Sequence, residues 1–169
     1  MPSDADRRGL FWGAVVAVVL LDLVTKWWAV GSLVLYEPIP VLGETLRWRL
    51  IYNPGAAFGL HLGPWSRWIF LVIAVVAFVV LFRMSREARP GDWVRQLSLG
   101  AVAGGAVGNL VDRVRGAQGV VDFIDAGIGA SRWPTFNVAD IGVSCGAVIL
   151  ALSLWREDHA KARADAPAA

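Results

Sequence analysis

The chain has 169 residues, 56% of them hydrophobic and only 18% charged, and its mean hydropathy is +0.54. Soluble domains carry about 25% charged residues, so the composition argues against an ordinary soluble protein. The net charge of +2 comes mostly from arginines fringing the apolar runs, and it requires no nucleic acid partner.

Uncharged apolar runs lie at 10–21, 69–82, 96–111 and 141–155. Each extends to about the 20 helical residues that cross a bilayer core. The fold class expected is therefore an all-α integral membrane protein, one membrane domain over 1–169. Its four transmembrane helices are predicted at about 10–30, 65–83, 94–112 and 137–156. The runs are apolar all round rather than striped, which argues against a soluble helical bundle.

Arg7 and Arg8 precede the first run, and residues 29–31 faintly resemble a signal-peptide cleavage site. Asp22, Lys26, Trp27 and Trp28 occupy the stretch where small residues should stand, so a retained helix fits better. Within "DLVTK", Asp22 and Lys26 are one helical turn apart and can pair. A structural ion pair is the leading reading and direct substrate contact the alternative.

The segment 31–64 is too long for a turn. Inside it "TLRWRLIY" alternates Leu46, Trp48, Leu50 and Tyr52 against Arg47, Arg49 and Ile51. Period two predicts a strand, hence a small extracytoplasmic β element between helices 1 and 2, with Trp48 and Tyr52 at headgroup level. In "YNPGAAFG", which follows, Asn53 offers an amide that donates and accepts. Gly55, Ala56 and Ala57 leave room for another backbone, although a plain turn explains Asn-Pro-Gly as well.

"GNLVDR" ends the third span and puts Asn109, Asp112 and Arg113 on one helical face. Arg113 is a rigid fork suited to carbonyl or carboxylate oxygens. After Gly116 and Gly119, "VVDFID" supplies Asp122 in an apolar setting, with Asp125 expected to be more exposed. "FNVAD" opens the fourth span with Asn137 and Asp140 one turn apart, where Asn137 can cap the helix. Cys145 sits among small residues that suit close helix packing. The tail 157–169 is expected to be disordered and His159 solvated.

Basic residues near the span ends set the orientation. Both termini and the 83–95 loop share a side that holds Arg7, Arg8, Arg83, Arg86, Arg89, Arg95, Arg156, Lys161 and Arg163. That side is read as cytoplasmic, so loops 31–64 and 113–136 face outward. Asn53, Asn109, Asp112, Arg113, Asp122, Asn137 and Asp140 then gather near one outer face. Ionisable groups at a membrane edge are costly and mark functional sites. Two carboxyls brought together in a low-dielectric site share a proton, so one can activate water while the other polarises a carbonyl. Asp112, Asp122 and Asp140 are all candidates. Asp122 is favoured over Asp112, whose carboxylate the neighbouring Arg113 would occupy. His61 and His159 lack acidic partners at metal-ligand spacing, so no metal or other cofactor is expected.

Five motifs, "DLVTK", "NPGAAFG", "GNLVDR", "VVDFID" and "FNVAD", make the chain resemble the bacterial lipoprotein signal peptidases (signal peptidase II) from about residue 10 to 156. The resemblance implies an aspartyl endopeptidase of the cytoplasmic (inner) membrane. It would cut diacylglyceryl-modified prolipoproteins before the lipidated cysteine. It assigns the catalytic pair to Asp122 and Asp140, the substrate site to Asn53, Gly55, Asn109, Arg113 and Asn137, and supporting roles to Asp22, Lys26 and Asp112. It also implies membrane lipids and the inhibitory cyclic peptide globomycin as partners. Two rival readings are a small transporter or channel using the Asp/Arg cluster as an ion path, and a structural subunit that binds a partner through 31–64.

Overall fold

The computed structural model describes residues 4–55, 63–89, 91–116 and 118–164. In chain order these form helix α1 (Asp4–Ser32), strands β1 (Ile39–Leu42) and β2 (Leu46–Asn53), and a 3-10 turn at Gly63–Trp65. Helices α2 (Ser66–Glu87) and α3 (Trp93–Arg115), strands β3 (Val120–Ile128) and β4 (Ser131–Arg132), and helix α4 (Val138–Ala164) follow.

Three helical stretches, Gly9–Ser32, Gly63–Glu87 and Val138–His159, are long and apolar enough to cross a membrane. Their Val, Ile, Leu and Trp side chains face outward along much of each helix, as a lipid solvent allows. Helix α3 differs because it packs against α1, α2 and α4. It buries Gln96, Ser98, Gly100, Gly104, Gly105 and Gly108 along with Leu99 and Ala103. Glycine there serves close approach: a Cβ on Gly104 would lie 2.9 Å from the Val15 carbonyl oxygen of α1. Small residues let helix backbones meet in this way. Cys145 points outward, and its neighbour Gly146 makes the close approach to α3 instead.

The four strands form one antiparallel sheet in the order β1-β2-β3-β4. The strand expected from "TLRWRLIY" is β2. The β element is larger than expected, because the segment between α3 and α4 supplies β3 and β4. "VVDFID" is therefore strand, and pairing sets Ile51 opposite Asp122 and Asn53 opposite Val120.

Leu50, Val121, Phe123 and Ile124 form the sheet's core with Ala29 of α1 and Leu33 just beyond its end, and Trp48 and Tyr52 pack against it. Trp48 lies 5.4 Å from Trp28 and 6.0 Å from Phe123 between ring centroids. Trp48 and Tyr52, expected at headgroup level, thus lie where they also pack on this core.

Asp125 is not exposed but 1% accessible. It is three residues from Asp122 along β3, so alternation puts it on the opposite sheet face. Its Oδ2 accepts from Arg47 Nε (2.9 Å) and Nη2 (2.6 Å), and its Oδ1 accepts from Arg132 Nε (2.9 Å). Burial alone would raise its pKa, but the two guanidinium groups outweigh burial and hold it below the usual carboxylate value.

Residues 157–164 continue α4 as helix, where disorder was expected. The segment is rich in Ala, Arg, Glu and Lys, all good helix formers, and His159 packs against Trp155 with ring centroids 4.4 Å apart. Residues 165–169, Ala56, Ala57 and His61 lie outside the described residues.

Candidate active site

Asp122 sits mid-strand on β3 and is 2% exposed. Its Oδ2 accepts from Asn53 Nδ2 at 3.0 Å, and its Oδ1 accepts from Asn137 Nδ2 at 2.7 Å. The chain turns into β3 at Gly119, whose φ is +106° and whose Cβ would lie 2.8 Å from Pro54 Cα. Only glycine meets both conditions, and the turn brings Val120 opposite Asn53.

Asn137 caps α4. Its Oδ1 accepts from the Asp140 N–H at 3.0 Å, while Asp140 Oδ2 accepts from the Asn137 N–H at 3.1 Å. This reciprocal arrangement is a capping box, with Asn and Asp in the places usually taken by Ser/Thr and Glu. The capping role read from sequence is therefore present, and the same side chain also reaches Asp122. Asn137 is fully buried. It lies behind the carboxyl groups rather than on a wall open to substrate.

Asp140 Oδ1 accepts from Asn109 Nδ2 at 2.8 Å. All four oxygens of Asp122 and Asp140 thus receive hydrogen bonds, three from asparagine side chains and one from a backbone N–H. Burial, and then the charge of Asp140, push the Asp122 pKa from 3.8 up to about 7, against the opposing hydrogen bonds from Asn53 and Asn137. Below that value Asp122 holds its proton. As pH rises through it, a second negative charge must form beside Asp140.

A cavity of about 590 Å³ opens on this pair. Asn53, Asn109, Arg113, Asp122 and Asp140 line its polar part, while Ile51, Val120, Phe136 and Val143 are among the apolar residues of its wall. An extended peptide can lie there with its carbonyls toward the carboxyl groups. Among the described residues, no three His, Cys, Asp or Glu side chains converge as metal ligands would.

The other residues singled out from sequence surround the pair. Asp112 is held by Lys26 Nζ at 2.8 Å and accepts from the Val121 N–H at 3.2 Å. Its occupant is therefore Lys26 and not Arg113, as the sequence reading had it. Asp22 pairs with Lys26 at 2.7 Å and accepts from the Ala139 N–H at 2.9 Å. Arg113 donates to the Asn109 carbonyl at 3.1 Å and the Gly55 carbonyl at 2.9 Å. The Gly55 N–H in turn donates to Asn53 Oδ1 at 3.0 Å.

Arg67 makes a contact that none of the motifs signals. It reaches from α2 to cap the end of α3 at the Arg113 and Val114 carbonyls, and a lone arginine at a span edge carries no signal for that.

A family described as signal peptidase (SPase) II matches residues 14–156. The lipoprotein signal peptidase of Xanthomonas campestris pv. campestris (strain 8004) is 41% identical over 156 residues, which cover 90% of this chain and 92% of the relative. That of Hydrogenovibrio crunogenus is 40% identical over 145 residues, 84% of this chain and 82% of the relative. A bacterial membrane enzyme solved by the in meso method at 2.3 Å resolution superposes with a TM-score of 0.80 at 28% identity, covering 89% of this chain and 90% of that one. None of these similarities supports the ion-path reading. With matches of this extent on both sequence and fold, the chain belongs to the signal peptidase II family.

Proposed function

We propose that Asp122 and Asp140 are the catalytic pair of this signal peptidase, which removes the signal peptide from prolipoproteins at the membrane. The observation that carries the assignment is that Asn137 bridges from behind two carboxyl groups that both line one cavity. In the working state one proton is shared, and its place is Asp122. Asp140 is the base that takes a proton from water; the Asp122 O–H donates to the scissile carbonyl as the tetrahedral centre forms. The proton gained by Asp140 then passes to the leaving amine. Asn53 and Arg113, at the polar end of the cavity, hold the extended peptide, and Gly55 allows its backbone to come close.

The bond cut is the one before a diacylglyceryl-modified cysteine, whose chains remain in the surrounding lipid. Globomycin acts by filling the same cavity. Helix α3 is a fourth span whose glycines and polar residues are tolerated because the other three helices shield it from lipid. Asn109 and Asp112 near the end of α3 and Asp140 in the first turn of α4 lie at one end of the bundle. With cytoplasmic termini that end is extracytoplasmic, and exposed Trp27, Trp65 and Trp68 suit its headgroup layer.

Purified chain incubated with a diacylglyceryl-modified precursor is expected to release a free signal peptide, and globomycin to stop the release. An uncut precursor would count against this reading.

A further inference from the structure

Lys26 is 3% exposed near the end of an apolar helix. Its ammonium carries three N–H donors and no acceptor. It lies 2.7 Å from Asp22 Oδ2 and 2.8 Å from Asp112 Oδ2 as an ion pair with each, and donates a hydrogen bond to Asn109 Oδ1 at 3.0 Å. The first two contacts are a buried ion cluster, and ion pairing alone accounts for them. The third is different, because it bears on an amide whose other end faces Asp140.

An asparagine amide can turn over and exchange its oxygen and nitrogen. Here the oxygen of Asn109 faces two groups that only donate, Lys26 Nζ and Asn137 Nδ2, the latter at 3.1 Å. Turned over, the Asn109 NH₂ would point at an ammonium and a second NH₂, and its oxygen would meet the Asp140 carboxylate. Asn137 alone is a weak guard, since its NH₂ is also shared with Asp122 and the Val121 carbonyl. The charge-assisted bond from Lys26 is the stronger of the two.

We propose that Lys26 is a positioning residue for the reaction, fixing the Asn109 amide so that its NH₂ group stays on Asp140. The inference rests on the assignment of Asp122 and Asp140 as the catalytic pair. A hydrogen bond donated to a carboxylate favours its ionised form. Lys26 thereby holds that NH₂ on Asp140, the base of the pair. The charged groups that bear on the pair are Asp22 and Lys26 from α1, Asp112 and Arg113 from α3, and each member from the other.

Removing Lys26 alone strands two buried carboxylates, so the deciding variants neutralise the cluster as a whole. Asp22→Asn, Asp112→Asn and Lys26→Met combined leave no uncompensated charge, and an asparagine at position 22 still accepts from Ala139. This chain is expected to unfold in detergent near the native temperature. Its kcat should nonetheless fall about 100-fold, within the range of a misplaced acid or base, with KM nearly unchanged. Lys26→Gln in the same background returns an N–H donor to Asn109 and should recover about tenfold.

The single Lys26→Met and Lys26→Gln chains repeat the comparison in the native background. The native chain and Asp122→Asn run alongside, so an inactive native chain would indict the functional assignment rather than the role of Lys26. Native kcat in the triple methionine variant, or equal losses for Met and Gln, would overturn the proposal and leave Lys26 as a counter-ion.

Discussion

Asp122→Asn is expected to lower the cleavage rate by about 10³-fold or more, because it removes a proton donor that general acid–base catalysis depends on. The chain should still insert and fold. Asp122 is buried and its pKa is pushed up to about 7, so the fold already favours a neutral group at this position. A neutral amide of the same shape therefore costs little desolvation. One contact does change: the new NH₂ faces a donor on Asn53 or Asn137, and one of these must turn. Turning Asn53 would cost its hydrogen bond from the Gly55 N–H. A modest fall in thermal stability with near-complete loss of cleavage is the expected pattern, measured by unfolding in detergent and by gel assay of a lipidated precursor. Full activity in a correctly inserted Asp122→Asn chain would remove Asp122 from the mechanism.

Asn137→Ala should damage both stability and activity. The side chain caps α4, which is worth about 1 kcal/mol. It also donates to Asp122 Oδ1 and Asn109 Oδ1 in a fully buried setting, and each buried polar group left without a partner costs about 1–3 kcal/mol. A loss of roughly 2–4 kcal/mol follows from these contributions, together with a cleavage rate down about 100-fold or more as Asp122 loses its orientation. Asn137→Ser separates the two effects. Serine caps a helix as well as asparagine but is too short to reach Asp122. It should regain much of the stability and little of the activity. If Ser restored both, the bridge from Asn137 to Asp122 would have no part in catalysis.

The helices were legible because a lipid solvent selects long uncharged runs, and α3 was found from its run at 96–111 despite its glycines. Strand β2 was legible because one of its faces packs on the core while Arg47 and Arg49 alternate on the other. Strand β3 was not. Val120 to Asp125 are all buried, so no period-two pattern marks them, and the acids at 122 and 125 disguise the apolar run. Asp125 was misplaced for a related reason. Its partners Arg47 and Arg132 lie 78 and 7 residues away in sequence, and only strand pairing brings them together.

Each site residue was nameable singly, as an ionisable or amide group beside an apolar run. What the sequence could not convey was the order of their contacts. Asp112 takes Lys26 across 86 residues, and Asn137 turns its back on the cavity to serve both carboxyl groups. Such pairings depend on how α1, α3 and α4 approach through their glycines, and spacing along one helix carries no trace of that.

The pH dependence of single-turnover cleavage of a lipidated precursor bears most directly on the shared proton of Asp122 and Asp140. With Asp122 holding that proton, the native rate should fall as pH rises through about 7, since an ionised Asp122 can no longer donate to the scissile carbonyl. The fall should follow one ionisation and persist when the ionic strength is changed. A native rate that stays level or rises through that range would contradict the pair as assigned.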